Sequence, residues 1–293
     1  MQKQALKAFG DNNMTSVSSS RRAFLAAATS VLAISTVSLG LAGAAQAQDA
    51  TKKQLIIGGT AGSNIDQLQA GIVPLLQKKG YKVKLVEFND YVQPNLALAD
   101  GSLDANFFQH EVYFNQFKGD RKLDLVALTQ GPIAPMGIYS KSRKSLAEAK
   151  PGDRIALPND ASNLARALLL VQQAGLIKVK SNVNPLRISE LDIAENPQKL
   201  KFVPLDAAQL PRSLDDVQFA IINGNFAISS GLKLQDAVVL EKTPDHYLNI
   251  VAVKTKDKDA QWAKDLNEAF HSVDFKTVVD SKFAGYAKPN FLQ

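Results

Sequence analysis

From Leu55 onward, short apolar runs alternate with segments of helical spacing, and proline- or glycine-rich breaks interrupt this order twice. A βαβα order of this kind is met by a sheet with its crossover helices packed on the faces, and it predicts parallel strands. Leu55–Gly59 reads as the first strand. Ile65, Leu68, Ile72 and Leu76 set a helix over Ile65–Lys79, closed by Gly80. Lys82–Phe88 alternates as a strand, a short helix follows Asn89-Asp90-Tyr91, and strands are expected at Leu103–Phe107 and Leu123–Leu128. Gly131-Pro132-Ile133-Ala134-Pro135 then suits a crossover better than an element interior. A second block holds strand 153–157, helix 162–174, strand 200–205, a short helix near 207–214, and strands 217–222 and 236–241. Thr243-Pro244-Asp245 is the second break. Beyond it come strand 248–253 and helices near 258–271 and 274–285.

The simplest packing returns this tail to the first block. The expectation is an α/β chain of two lobes, 52–131 plus 245–293 and 132–244, with crossings near 131–137 and 242–246. Ligands of such folds sit in clefts at the C-terminal ends of strands. That directs attention to segments 58–64, 88–94, 106–113, 157–163 and 223–231.

Residues 1–47 read as an export leader. Ser20-Arg21-Arg22-Ala23-Phe24-Leu25 matches a twin-arginine signal, an uncharged run follows, and Ala45-Gln46-Ala47 is an A-x-A cleavage pattern. The rival reading is a retained membrane anchor, since 23–45 is long enough to span a bilayer. Met14 is an alternative start. Lys3, Lys7, Arg21 and Arg22 against Asp11 give the leader +3 of the chain's net +6. The mild excess left for the remainder, with no basic run interleaved with aromatics, argues against a nucleic-acid partner. There is no cysteine, which removes disulfides, thiol chemistry and a lipid-bearing Cys together.

Three stretches could carry chemistry. In Ile155–Gly175, an apolar strand runs into a helix that Asp160 or Ser162 can cap. Asn163 and Arg166 are three apart and so are neighbours on the first turns. A helix N-terminus beside an arginine fork makes a receptor for a small carboxylate. The same spacing also fits an arginine on a solvated face. Asp104–Phe117 concentrates Phe107, Phe108, Tyr113, Phe114 and Phe117 around His110, one of three histidines. Phe107, Phe114 and Phe117 suit a core; Phe108, His110 and Tyr113, just past a strand end, suit a cleft that grips an apolar or thioether side chain. In Ile221–Leu232, Asn223 and Asn225 either satisfy a turn or bind an ammonium or carboxylate.

Enzyme signatures are poor. No G-x-S-x-G elbow is present, and the histidines at 110, 246 and 271 lack metal-ligand spacing. Gly58-Gly59-Thr60-Ala61-Gly62 fits neither a Walker loop nor G-x-G-x-x-G; a tight turn or close backbone approach explains it better.

Several runs taken together resemble the NlpA lipoprotein family, the methionine-binding proteins of bacterial ABC importers. They are Glu87-Phe-Asn-Asp-Tyr-Val-Gln-Pro-Asn95, Asp104-Ala-Asn-Phe-Phe-Gln-His110, Pro158-Asn-Asp-Ala-Ser-Asn-Leu-Ala-Arg-Ala-Leu169, Asp192-Ile-Ala-Glu-Asn-Pro197 and Ile222-Asn-Gly-Asn-Phe-Ala227. The resemblance implies a two-lobed type II periplasmic-binding-protein fold that closes on its ligand. It implies a side-chain wall of Tyr91, Phe108, His110 and Tyr113, and a head-group site of Asn163, Arg166, Asn223 and Asn225. It further implies a monomer with no catalytic role, no metal and no cofactor, handing an amino acid to an ABC permease. Two departures stand out: the lipidated cysteine is missing, and Val112-Tyr113 replaces the family's Pro-Tyr. The expectation is therefore an unlipidated periplasmic protein for methionine. A methionine-containing dipeptide, another apolar amino acid, an enzyme on the same fold and an envelope protein with a vestigial cleft are the rivals.

Overall fold

The structure is a computed structural model that describes residues 52–293. The expected leader, its cleavage site and the possible anchor lie outside the described residues.

Two five-stranded sheets organise the described chain. The first contains β1 (Gln54–Thr60), β2 (Lys82–Phe88), β3 (Ala105–His110), β4 (Leu125–Gly131) and β12 (Asn249–Lys254), in the order β2-β1-β3-β12-β4. The second contains β5 (Gly137–Tyr139), β6 (Arg154–Pro158), β9 (Lys201–Leu205), β10 (Phe219–Ile222) and β11 (Val239–Leu240), in the order β11-β5-β10-β6-β9. β7 (Lys178–Val179) and β8 (Ile193–Glu195) form a separate small ribbon. The chain passes between the sheets twice, after β4 and before β12.

The sheets are mixed, not parallel throughout. β1 runs parallel to β2 and β3, but β12 is antiparallel to both β3 and β4. In the second sheet β6 is parallel to β9 and β10, while β5 is antiparallel to β10 and β11. The crossings explain the reversals. The chain leaves the first sheet at the C-terminal end of β4 and returns at that same end, so β12 must run backwards between β3 and β4.

Each sheet has its own core. Leu55 and Ile57 of β1 pack with Trp262, Leu266, Phe270, Phe275 and Val279 of the last two helices, Gln261–Phe270 and Val273–Lys282. The tail therefore belongs to the first sheet. Ile155 and Leu157 of β6 pack with Leu168 and Val171 of helix Ala161–Gln173 and with Phe219 and Ile221 of β10. Phe107 and Phe114 are core residues, as their sequence suggested.

Local differences have local causes. The helix expected over Ile65–Lys79 is two α segments, Ser63–Gln67 and Val73–Lys78, joined by a π turn at Leu68–Ile72. Pro74 has no N–H to give Ala70, and its ring crowds that carbonyl; widening the preceding turn relieves the conflict. β11 covers only Val239–Leu240, because Leu234–Asp236 winds into a 3-10 turn instead. β3 extends to His110, three residues beyond the expected end, so Phe108 and His110 lie in the strand and not in a loop after it.

Candidate functional site

A pocket lies between the two sheets. It draws residues from all five strand-end segments: Ser63 and Asn64, then Tyr91, then Phe108 to Tyr113, then Asn163, then Asn223 to Asn225. Every one of the eight candidate residues lines it, Arg166 included.

The aromatic wall stands at an irregularity in β3. Gln109 pairs with Ile250 and Phe107 with Val251, so Phe108 is the extra residue of a bulge. Successive side chains of a strand point to opposite faces. Here Phe107 enters the core of the first sheet while its neighbour Phe108 joins Tyr113 and Tyr91 at the pocket. The Tyr91 and Phe108 rings are 5.9 Å apart at 30°, and Tyr91 and Tyr113 are 5.9 Å apart edge to face. Phe117 stacks on Tyr113 at 5.5 Å from behind. The Tyr113 hydroxyl donates to the Tyr91 carbonyl at 2.8 Å, which fixes the loop carrying Tyr91.

His110 ends β3 and caps the next helix, Glu111–Arg121: its Nδ1 accepts the Tyr113 N–H at 3.1 Å. That bond makes Nε2 the protonated nitrogen, which donates to Asn163 Oδ1 across the pocket at 3.1 Å. Burial, and then the Arg166 cation, push His110 down to about 3, so it is neutral at physiological pH.

The Asn163 amide is fully engaged by the protein. Its Oδ1 also accepts from Asn223 Nδ2 at 2.8 Å, and its Nδ2 donates to both Asp160 oxygens at 3.0 Å. Asp160, not Ser162, caps the helix, accepting the Asn163 N–H at 3.0 Å. Asn163 thus orients its neighbours, while Asn223 is left with a buried Oδ1 that has no partner among the described residues. An unpaired buried acceptor beside a cavity suits a donor brought by a ligand.

Arg166 is not the solvated arginine that its spacing allowed; it is 2% exposed. Its fork is engaged by a residue the sequence did not single out. Nε donates to Glu241 Oε1 at 2.7 Å, and Nη2 to Glu241 Oε2 at 2.5 Å. Burial works to lower the Arg166 pKa, but the Glu241 carboxylate outweighs it and holds it above its usual value. Burial likewise works to raise Glu241, and Arg166, Thr243 and Met136 together hold it below the usual carboxylate range. Tyr247, also unforeseen, places its ring 4.7 Å from the Arg166 guanidinium and 5.0 Å from the His110 ring.

A belt of amides closes the pocket from the other side. Asn249 Nδ2 donates to Asn64 Oδ1 at 3.1 Å, and Asn64 Nδ2 to Thr60 Oγ1 at 2.7 Å. Asn225 joins the sheets: its Oδ1 accepts the Tyr91 hydroxyl at 2.6 Å and its Nδ2 donates to Thr60 at 3.3 Å. Two glycines permit this closeness. Gly62, at φ 80°, lies where a Cβ would come within 2.5 Å of the Asn225 carbonyl, and Gly224 abuts Ala134 and Pro135 of the first crossing. Asn64 and Asn249 carried no usable signal, being two among many polar residues. Glu241 stood at the end of an apolar run, but nothing local tied it to position 166.

A two-lobed α/β protein with a pocket at the lobe interface, aromatic at one end and charged at the other, has the form of a substrate-binding protein. The chain belongs to the NlpA lipoprotein family, whose model matches residues 55–291. It is 44% identical over 213 residues to the D-methionine-binding lipoprotein MetQ of Escherichia coli K12, covering 72% of this chain and 78% of that protein. Against its namesake from Salmonella typhi the identity is 41% over 253 residues, 85% of this chain and 93% of that one. Among solved structures, a nutrient binding protein from Burkholderia cenocepacia bound to methionine superposes with a TM-score of 0.76. It is 43% identical over 80% of this chain and 99% of that chain. The family and its named relatives are binding proteins and not enzymes.

Proposed function

We propose that the protein is a substrate-binding protein that captures methionine and delivers it to an ABC permease. The observation that carries this reading is the polarity of the pocket. Tyr91, Phe108 and Tyr113 gather at one end, and Arg166 with the unpaired Asn223 Oδ1 at the other, with His110 between. Thioether sulfur packs well on ring edges, at about 0.3–1.5 kcal/mol per contact. The free edge of the Arg166 guanidinium takes the ligand's α-carboxylate, and Asn223 Oδ1 accepts from its ammonium. Asn163 acts through Asn223, His110 and Asp160, and Asn225 through Tyr91.

The lobes divide at the two crossings, 52–131 plus 245–293 against 132–244, and the protein acts as a monomer. Its relatives are lipoproteins by name. This chain has no cysteine to carry a lipid, so it works free in the periplasm after cleavage behind Ala47. Mass spectrometry of the small molecule released from purified protein, with calorimetry against methionine, tests the reading. Methionine should co-purify and bind stoichiometrically. Equal heats from leucine and methionine, preference for a dipeptide, or chemical turnover of the ligand would each reject it.

A further inference from the structure

The Arg166–Glu241 pair bears on which ligand charge the pocket accepts. Both side chains are almost wholly buried, at 2% and 5% exposure. The Glu241 carboxylate is saturated by the protein: besides both bonds from Arg166, its Oε2 accepts the Met136 N–H at 3.3 Å and the Thr243 hydroxyl at 2.7 Å. Met136 and Thr243 belong to the two crossings, so the carboxylate is held in place by both. A guanidinium carries five N–H donors. Glu241 takes its Nε–Nη2 edge, which leaves the Nη1 edge for a second carboxylate.

The two charges of this pair cancel. Nearby, burial keeps His110 neutral and works against a charge on Asp160, raising its pKa above the usual carboxylate value, while the Asp160 oxygens are taken up by Asn163 and Ser162. A ligand with net charge would therefore leave that charge uncompensated where water is excluded, which is costly.

We infer that Glu241 is a specificity-determining residue: by neutralising Arg166 from behind, it makes the pocket select a zwitterion over an anion carrying the same carboxylate. A lone Arg166 would do the opposite, favouring the anion. This rests on the reading above, in which the ligand is a free amino acid with its carboxylate at Arg166.

A charge ladder tests it. Wild type, Glu241→Gln, Glu241→Asp and Arg166→Gln are titrated with methionine, deamino-methionine (the anion) and methionine amide (the cation). Wild type should favour methionine over both analogues by about tenfold or more, equal to about 1.4 kcal/mol. Glu241→Gln should move the methionine-to-anion ratio about tenfold or more toward the anion. Arg166→Gln should move the ratio toward the cation, and Glu241→Asp, which keeps the charge, should retain the wild-type order. Ratios that stay constant while all affinities fall together would make Glu241 a structural residue only. Where one glutamine variant fails to fold around its lone buried charge, the other reads the same inference from the opposite sign. The wild-type arm also stands alone, since equal affinity for methionine and its deamino analogue overturns the inference. A wild type that binds none of the three rejects the methionine reading itself, a distinct result from methionine binding with unmoved ratios.

Discussion

At the aromatic end of the pocket, Phe108, His110 and Tyr113 come from one strand-to-helix junction, and Tyr91 is fastened to it by a single hydrogen bond. At the charged end, Arg166 meets a carboxylate 75 residues away, with Met136 and Thr243 of the two crossings behind it. The first end is made by local geometry and apolar contact. The second is made by long-range pairing of groups that could not be buried singly. Apolar contacts lose strength gradually when trimmed, whereas breaking one partner of a buried ion pair strands the other. The two ends should therefore respond differently to substitution.

The largest effect is expected at the charged end. Arg166→Ala leaves Glu241 buried and unpaired, a change that costs about 3–5 kcal/mol in such pairs. Denaturant unfolding should show that loss, and calorimetry should show methionine binding weakened by about two to three powers of ten. Methionine amide should be much less affected, because the carboxylate served by Arg166 has lost its charge. A variant of unchanged stability would mean that Glu241 rehydrates freely, and the contrast between the ends would then fail.

A sharper comparison sits within β3 itself. Phe107→Ala removes a core ring and should cost about 3–5 kcal/mol of stability with little direct effect on affinity. Phe108→Ala, one residue on, should weaken methionine binding by about ten- to a hundredfold, from lost apolar burial of about 1–3 kcal/mol. Its stability cost should be the smaller of the two. If the two variants behave alike, the two faces of β3 do not separate core from pocket.

His110 joins the ends, and its titration should be visible in folding. The unfolded imidazole protonates near its ordinary value of about 6.5, whereas burial holds the folded one to about 3. Stability from the neutral imidazole is thus fully present above about pH 6.5 and is lost as pH falls from there toward the folded value. The slope approaches about 1.4 kcal/mol per pH unit once the unfolded group is protonated. Urea midpoints between pH 7 and pH 5, a range kept above the ordinary carboxylate pKa, should fall in wild type and stay flatter in His110→Gln. Equal slopes would place the proton uptake elsewhere.

The smallest effect is expected from Tyr91→Phe. It keeps the ring and removes one hydrogen bond, that to Asn225 across the lobes. About 0.5–1.5 kcal/mol is typical of such a bond, so affinity should drop less than about tenfold. A greater drop would make Tyr91 part of the polar end.

Local order was legible in the sequence. Period-two and helical spacing located most strands and helices, and breakers at 131–135 and 243–245 marked where the chain crosses. Each of those signals is written within a few residues, at the range over which backbone geometry acts. Phe108, His110, Tyr113, Asn163, Arg166, Asn223 and Asn225 stood out because they cluster at strand ends, and the resemblance added Tyr91. Pro74 was also legible, and it makes the π turn intelligible after the fact.

Only the tertiary structure decided what those residues face. No local pattern sets the strand directions, which follow from where the chain leaves and re-enters the first sheet. Phe108 faces a pocket and not a second core because Tyr91 and Tyr113 gather over its face of β3. Arg166 looked equally suited to water or to a ligand, and it became neither alone, because a buried guanidinium must find a carboxylate wherever the chain can bring one. Spacing along a chain records which groups are neighbours in sequence. The choice of Glu241, Tyr247, Asn64 and Asn249 belongs to packing, where desolvated charges and amides are satisfied across any separation in sequence.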